Sequence, residues 1–286
     1  MFDSRSFSGG TSNSGFLNVK NISVCILTKN NERTLARCLE PLLRFGEIVV
    51  LDTGSEDSTL EILAGFPSVR VIRQDGIGNF GKSRNHLAAH ATHDWILMVD
   101  ADEILTGELV DEILALPDDP ETVYAILRIN HYRGRPIRAC GWYPDYCFRL
   151  YHRKATSWKE RIVHEVLLLP ETVRTKRLTG EMSHFSCEDA IQLAGKGFWY
   201  AELFGTDFAG KRRTFYLEAY LRAAWTFFRC YFLRRGVFYG RDGLTISSLS
   251  AFGSYMKYAI LYEKNEALER SADREKNPEI GAGRIS

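Results

Sequence analysis

The sequence predicts an α/β protein with a mostly parallel, Rossmann-like sheet, helices on both of its faces, and a C-terminal helical appendage. Short apolar runs alternate with helical repeats of leucine in the first third of the chain. Two of these runs, 47–51 and 95–99, lead directly into aspartates, and the last third changes to aromatic-rich helical patterns. Alternation of short strands and helices is typical of a parallel sheet covered by helices.

Length and composition bound the class of protein. The 286 residues are 45% hydrophobic and 26% charged, with a formal net charge of +1, as expected for a globular chain of one or two domains. The chain has no large excess of positive charge, so its composition does not indicate a nucleic-acid partner. The six cysteines are scattered, so we interpret them as reduced thiols of a cytoplasmic protein.

Four segments are predicted along the chain. Residues 1–20 are rich in Ser, Gly and Asn and lack the apolar stretch of a signal peptide, so we expect a flexible tail. An α/β domain at 21–187 and an amphipathic helical region at 188–265 follow. Residues 266–286 are charged, and we expect a second flexible tail there.

Within the α/β domain, the first strand is predicted at Ser23–Leu27. It ends in polar residues, of which Asn30 or Asn31 is expected to cap the next helix. The other elements, identified from their hydrophobic period, are strands at 47–51, 69–72, 95–99 and 123–130 and helices at 35–43, 60–63 and 81–91.

Acidic residues follow two of the buried strands. Asp52 ends one strand, and Asp100 and Asp102 follow another. The carboxyl ends of parallel strands meet at one edge of the sheet, where open α/β sheets bind ligands. Two carboxylates two residues apart can hold a hard divalent cation that bridges substrate phosphates. The alternative is an acidic turn exposed to solvent.

A glycine-rich segment favours a different function. Gly76–Gly81 reads G-x-G-x-x-G, follows a strand, opens a helix and precedes Asp100 by about twenty residues, as in a dinucleotide-binding oxidoreductase. We rank this hypothesis second because it explains neither Asp52 nor the cations Lys82 and Arg84. At a helix start those cations could contact a diphosphate. Alternatively, the two side chains simply lie on an exposed face of the helix.

Four blocks of the sequence resemble the family-2 glycosyltransferases of the GT-A fold. In chain order they are SVCILTKNNERTLARCL, EIVVLDTGSEDST, GKSRN and WILMVDADE. Four blocks in the right order are far more specific than any single one. The resemblance implies an enzyme that transfers a sugar with inversion from a nucleotide-sugar donor, with Mg²⁺ or Mn²⁺ as cofactor.

The same resemblance implies roles for particular residues. Thr28 and Asp52 would contact the nucleotide base and ribose. The metal would be held by Asp100, which also holds the ribose, and mainly by Asp102. The implied donor-binding residues are Thr28, Asn30, Asp52, Lys82, Arg84 and Asp100.

Motifs in the second half narrow the resemblance. The order GWYPD, FRLY-x-R, VHE and H-F-S resembles the bacterial lipopolysaccharide inner-core β-1,4-glucosyltransferases, and together the blocks cover residues 22–262. This implies UDP-glucose as donor and a lipid-linked saccharide as acceptor. A peptide or another saccharide as acceptor is the alternative, and a non-catalytic nucleotide-sugar-binding or scaffold protein is a third hypothesis.

Arg149 and Arg153 lie within the FRLY-x-R motif. They could bind phosphate or form structural salt bridges.

An inverting transfer needs a general base that takes a proton from the acceptor hydroxyl. Asp145 is predicted for this role, because it precedes a strand and follows a Gly-Trp-Tyr-Pro turn whose aromatic rings could stack on a sugar. Glu165 is the rival, and Asp145 could also be an ordinary turn carboxylate. His164 or His184 could add a late metal ligand, although a lone histidine is more often structural.

The last third of the chain suits a membrane surface. Helices predicted at about 215–233 and 244–262 carry many aromatic residues, with Arg222, Arg229, Arg234 and Arg235 along the first. We expect them to lie on an anionic membrane, which makes the protein peripheral on the inner face of the cytoplasmic membrane. The second stretch contains four serines and a glycine and is not predicted to span. The alternative is a helical hairpin packed against protein.

Overall fold

The computed structural model describes residues 21–74, 79–160 and 166–276, without the side chains of 273–276. The described strands are β1 (Ile22–Thr28), β2 (Glu47–Asp52), β3 (Val69–Arg73), β4 (Trp95–Asp100), β5 (Glu103–Leu105), β6 (Thr122–Tyr132), β7 (Arg135–Pro136), β8 (Asp145–His152) and β9 (Arg174–Cys187). The described α-helices are α1 (Leu35–Leu42), α2 (Thr59–Ala64), α3 (Phe80–His90), α4 (Gly107–Leu114), α5 (Ala190–Phe208), α6 (Tyr216–Phe228) and α7 (Gly240–Lys276). A π-helical turn (Arg229–Leu233) and a 3₁₀ turn (Gly236–Tyr239) lie between α6 and α7.

A mixed sheet organises the α/β part of the chain. Within the described residues its strand order is β3-β2-β1-β4-β8-β6-β9-β5, and β7 pairs with β6. The strands β3, β2, β1 and β4 are parallel, and β8 is antiparallel to β4. The predicted α/β fold is therefore confirmed, and the four parallel strands are those predicted from apolar runs. Strands β5 and β9 were not predicted.

The chain divides into two compact units. The first unit comprises the described residues of Met1–Ala101, Leu105–Ile126 and Phe148–Glu181. The second comprises those of Asp102–Ile104, Leu127–Cys147 and Met182–Ser286. Four strands, β5, β6, β8 and β9, contribute residues to both units.

Burial of apolar residues explains why the central strands of the first unit form. Strand β1 is buried at every position, and β4 at every position before Asp100. Burying one large aliphatic side chain contributes roughly 1.5–3 kcal/mol, so several in succession outweigh the ordering cost of a short strand. The polar residues that follow these strands therefore start from well-anchored backbone.

The order of the parallel strands places a crevice at the end of β1. Strand β2 pairs with one side of β1, and β4 pairs with the other although β3 lies between them in the chain. Such a reversal of strand order is the point where open α/β sheets bind ligands. The register pairs Thr28 with Asp52 and Leu27 with Asp100, so the two aspartates end their strands at the same edge, as predicted.

Helices α5, α6 and α7 pack together in the second unit. Ala219 of α6 is buried in a cluster with Tyr258 and Ala259 of α7. Gly205 of α5 packs so closely on Ile260 that an added Cβ would lie 2.5 Å from that side chain. The predicted change to helices after residue 187 is confirmed. Helix α7 begins before the predicted residue 244 and runs to Lys276, into the segment expected to be a flexible tail.

The membrane-spanning potential of these helices is low. In the part of the chain that the structure describes, no helix combines the length and apolar character needed to cross a bilayer.

Candidate active site

Two predicted donor-binding residues end neighbouring strands of the first unit. Asp52 is almost fully buried, and its carboxylate accepts hydrogen bonds from the backbone N–H groups of Gly54 and Ser55 and from the Ser55 hydroxyl. Thr28 is also buried, and its hydroxyl has no hydrogen-bond partner among the described residues. Buried polar groups are normally paired, so an unpaired hydroxyl at this edge suits a ligand contact.

Asn30 connects the loops that follow β1 and β2. Its Oδ1 accepts from Glu56 N at 2.8 Å, and its own N–H donates to Ser55 Oγ at 2.9 Å. Its φ of 54° is left-handed, a conformation that Asn tolerates better than most residues. The expected capping of α1 by Asn30 or Asn31 is wrong, because the N-cap is Thr34 and has no side-chain capping bond.

Asp100, at the end of β4, lies between two buried arginines. Arg84 Nη2 donates to its Oδ1 at 2.7 Å, and Arg149 Nη2 donates to its Oδ2 at 2.6 Å. The Arg84 guanidinium also lies over the Trp158 ring, 4.7 Å from its centroid. Arg149 thus forms the structural salt bridge that the sequence left open as an alternative.

Arg84 and Lys82 both belong to α3 but differ in exposure. Lys82 is exposed in the first turn, where the Asn79 side chain accepts its backbone N–H and caps the helix. Arg84 is buried and bonded to Asp100. The predicted diphosphate contacts of these residues stay predictions, with Lys82 the more accessible of the two.

The glycine-rich segment before α3 does not have the surroundings of a dinucleotide site. It follows β3, which lies at one end of the described sheet, whereas a dinucleotide fingerprint follows the central strand at the reversal of strand order. Gly81 is required by packing, because an added Cβ would lie 2.3 Å from the Lys159 carbonyl oxygen. Residues 75–78, with the first two glycines, lie outside the described residues.

In the second unit, Asp145 begins β8 with its carboxylate held from one side. Its Oδ2 accepts from Arg128 Nε and Nη2, both at 2.8 Å, and from Asn130 Nδ2 at 3.0 Å. Arg128 Nη1 in turn donates to the fully buried Glu103 at 3.4 Å. The other oxygen, Oδ1, lies 3.8 Å from Cys147 Sγ, a weak donor. The carboxylate therefore has a defined orientation, with Oδ2 saturated by strong donors.

Asp102 and His184 face each other in the same unit. His184 Nε2 lies 3.4 Å from Asp102 Oδ2, and His184 Nδ1 lies 2.6 Å from Asn130 Oδ1. A backbone hydrogen bond of 2.9 Å from Phe185 N to the Asp102 carbonyl holds β9 beside Asp102. Imidazole and carboxylate are both metal-ligand types. Nevertheless, the described residues contain no group of three or more His, Cys, Asp or Glu arranged to hold a metal.

Two predicted site residues cannot be located. His164 and Glu165 fall within 161–165, outside the described residues, so their predicted roles as metal ligand and rival base stay predictions.

Arg128, Asn130 and Glu103 were not predicted from the sequence as site residues. The first two alternate on β6, and residues two apart on a strand share a face. Polar residues on one face of a strand otherwise rich in apolar residues were the available signal. Trp142, one of the aromatic residues predicted to stack on a sugar, is half-buried against an apolar cluster that includes Ile137, and the stacking stays a prediction.

The parallel strands of the sheet, with carboxylates where β2 and β4 end, form an α/β fold of the kind that binds ligands at this edge. The family model of glycosyl transferase family 2 matches residues 23–171, just over half of the chain. The chain belongs to this family, has the GT-A fold and is a glycosyltransferase.

The chain is similar to several individual proteins. An uncharacterized glycosyltransferase of Rickettsia typhi is 29% identical over 258 residues, which cover 86% of this chain and 88% of the relative. Glycosyltransferase SunS of Bacillus subtilis is 33% identical over 89 residues, 30% of this chain and 21% of SunS. The crystal structure of S. aureus TarS 1-349 in complex with UDP-GlcNAc has 17% identity and a TM-score of 0.47, covering 88% of this chain and 92% of that fragment.

Proposed function

We propose that the protein transfers glucose from UDP-glucose, with inversion, onto a lipid-linked saccharide, most specifically the inner core of lipopolysaccharide. The choice of sugar and acceptor rests on the resemblance of the GWYPD, FRLY, VHE and H-F-S motifs to the inner-core glucosyltransferases. The acceptor could instead be a peptide or another saccharide, which the same chemistry would serve.

The orientation of Asp145 carries the proposal. With Oδ2 held by Arg128 and Asn130, Oδ1 is the oxygen with capacity to accept a proton. The acceptor hydroxyl would attack C1 of the donor sugar and give its proton to Oδ1 as the new C–O bond forms. The bond from C1 to the diphosphate oxygen breaks in the same step, and the electron pair leaves with the diphosphate. A single displacement of this kind inverts C1 and needs one well-placed base.

The donor nucleotide fits the edge of the sheet in the first unit. Thr28 offers a hydroxyl that has no partner in the described part of the chain, and Asp52 shapes the loop after β2 through its three hydrogen bonds. The guanidiniums of Arg84 and Arg149, held beside Asp100, would favour an anionic diphosphate nearby. Fixed charges of this kind stabilise the charge that develops on a leaving group.

The side chains of Asp102 and His184 have the ligand atoms that a divalent cation needs. The two side chains supply one carboxylate oxygen and one imidazole nitrogen, and metals in such enzymes commonly complete their shell with water and substrate phosphates. A bound Mg²⁺ or Mn²⁺ would offset charge on the diphosphate. Asp100 is less suited as a direct ligand because both of its oxygens accept from buried arginines.

Turnover with a defined donor and acceptor tests the proposed function. We expect UDP release from UDP-glucose in the presence of Mn²⁺ to rise when an inner-core saccharide acceptor is added. A UDP-sugar should raise the melting temperature, since a ligand at 100 times its Kd stabilises the folded state by about 2.7 kcal/mol. NAD(H) serves as the matched ligand control. Stabilisation by NAD(H) but not by UDP-sugars would overturn the proposed donor, and donor binding without transfer would overturn the proposed acceptor.

We further propose that the helices of the second unit bind the anionic inner face of the cytoplasmic membrane. Large aromatic side chains are exposed along α6 and the π-helical turn, among them Trp225, Phe228 and Phe232. Arg229 and Arg234 are exposed in the same segment. Aromatic rings beside cations are typical of surfaces that enter the headgroup region.

Arg222 is a weaker candidate for a lipid contact than the sequence suggested. Its Nε donates to Glu218 at 2.6 Å, and its guanidinium lies over the Tyr258 ring. Burial raises the pKa of Glu218, but the hydrogen bonds from Arg222 and Thr214 lower it more, so the pKa lies below its usual value. Arg222 is thus engaged within the helical region, and the proposal depends on the three arginines after α6.

Replacing Arg229, Arg234 and Arg235 by Gln should lower binding to anionic liposomes and lower transfer to a lipid-linked acceptor. Each basic residue near such a surface contributes about 1 kcal/mol, and salt screens the attraction. Transfer to a short saccharide acceptor without lipid should change little. Flotation with anionic liposomes at low and high salt measures the effect.

The control for this experiment removes the same charge elsewhere. The exposed residues Arg174, Lys176 and Arg177 lie on β9, and their replacement by Gln should leave flotation unchanged. If the wild-type protein does not float with anionic liposomes at low salt, the aromatic surface binds protein and the docking proposal fails.

A further inference from the structure

Asn130 lies between the proposed base and the proposed metal-binding pair. Its Nδ2 donates to Asp145 Oδ2 at 3.0 Å, and its Oδ1 lies 2.6 Å from His184 Nδ1. We propose that Asn130 is a positioning residue whose single amide group sets the orientation of both Asp145 and His184. The inference rests on the proposed function, because it gives those two side chains their roles.

The neighbours of Asn130 allow one orientation of its amide. An ionised carboxylate only accepts hydrogen bonds, so the amide nitrogen must face Asp145. The same nitrogen lies 3.4 Å from the carbonyl oxygen of Trp142, which is also an acceptor. The amide oxygen is therefore directed at His184. Reversing the amide would bring its oxygen against two acceptors and its nitrogen against the imidazole.

This orientation determines which nitrogen of His184 carries hydrogen. Because Asn130 Oδ1 only accepts, His184 Nδ1 must be the donor. In the neutral imidazole the lone pair is then on Nε2, which faces Asp102 Oδ2 at 3.4 Å. A lone pair beside a carboxylate oxygen is the arrangement in which both groups can bind one cation. Hydrogen bonds from the second nitrogen commonly orient metal-binding histidines in this way.

The amide also contributes to the orientation of Asp145. Arg128 contacts Oδ2 through two nitrogens, and Asn130 adds a third donor from the same strand. Together they turn Oδ1 away from β6, toward Cys147. Loss of the amide donor would leave the carboxylate held by Arg128, with more freedom about its last torsion. Asn130 thus connects Asp145 with His184, which lies 39 residues later in the chain.

Two variants separate the two contacts. Asn130→Asp keeps an acceptor for His184 Nδ1 but puts a second carboxylate against Asp145. Asn130→Leu removes both contacts with a side chain of similar size. Mn²⁺ binding, measured by electron paramagnetic resonance with UDP present, reports on His184 and Asp102. The value of kcat for transfer at saturating donor and Mn²⁺ reports on Asp145.

We expect Asn130→Leu to weaken Mn²⁺ binding by about 10- to 100-fold, the range typical of groups that orient metal ligands. Asn130→Asp should bind Mn²⁺ like the wild type or more tightly, while its kcat falls by about 10- to 100-fold, as for lost outer-shell partners. A purely structural role predicts parallel losses in both measurements and a lowered melting temperature.

Asn265→Leu is the matched control. Asn265 is also half-buried, and its amide joins two parts of the helical region by accepting from Gly210 N and donating to the Arg212 carbonyl. This variant should lose stability without changing Mn²⁺ affinity.

If Asn130→Leu does not fold, Asn130→Asp still decides the matter through its different effects on Mn²⁺ binding and kcat. Unchanged kcat in Asn130→Asp overturns the inference while leaving the proposed function intact. A wild-type protein without transfer overturns the proposed function, and the Mn²⁺ measurements then decide the inference alone.

Discussion

Asp145→Asn is expected to abolish sugar transfer while leaving donor affinity close to that of the wild type. The amide has nearly the shape of the carboxylate, so its oxygen can still accept from Arg128 and Asn130 at the position of Oδ2. At the position of Oδ1 it presents an N–H₂ group, which cannot take the acceptor proton. General bases typically contribute about 10²- to 10⁴-fold in rate, and kcat should fall by that range.

The measurement pairs kcat for transfer with calorimetric binding of the donor. A base acts on the acceptor in the transition state, so kcat should change and the donor Kd should not. Asp119→Asn, which alters a carboxylate bonded to Arg174 on the first unit, is the control and should keep full activity. If Glu165→Gln reproduces the loss while Asp145→Asn stays active, the base has been assigned to the wrong carboxylate.

Asp102→Asn should remove most of the activity by weakening both metal and diphosphate binding. The variant replaces an anionic oxygen ligand beside His184 with a neutral amide, and hard divalent cations favour charged oxygen ligands. Loss of one ligand that supports leaving-group charge typically costs about 10²- to 10³-fold in kcat, as for other electrostatic stabilisers. Titrating Mn²⁺ against activity should show that higher concentrations restore part of the lost rate.

Two further measurements accompany this variant. Asp111→Asn changes an exposed carboxylate paired with Arg44, and its dependence on Mn²⁺ should match that of the wild type. Excess EDTA should inactivate the wild-type enzyme, and added Mn²⁺ should restore it. Full activity of the wild type in EDTA, or undiminished turnover by Asp102→Asn, would show that Asp102 does not bind a metal needed for transfer.

The parallel half of the sheet was predictable because its signals are local. Continuous apolar runs define β1, β2 and β4, and the polar residues that end them are adjacent in sequence. Strand β9 has no such signal, since its first residues, Arg174–Arg177, are all exposed and polar. Its place in the sheet follows from pairing with distant strands, which a single sequence does not display.

The partners of the site residues were not predictable for the same reason. Asp100 is bonded to Arg84, 16 residues away, and to Arg149, 49 residues away. The error at Asn30 has a similar cause: its side chain bonds to Glu56 N across two loops, whereas the prediction considered the next helix. Residue types at strand ends could therefore be predicted, but not which groups hold them.

The position of His184 on β9 has a consequence for how much of the chain a working catalyst requires. The part that matches the family model ends at residue 171, before β9 begins. A fragment cut at that boundary would retain Thr28, Asp52 and Asp145, yet it would lack the imidazole that faces Asp102. The region that matches the family model is thus smaller than the catalytic machinery that we propose. Hybrid enzymes made by exchanging segments with relatives should place their junctions after Cys187, so that β6 and β9 come from the same parent.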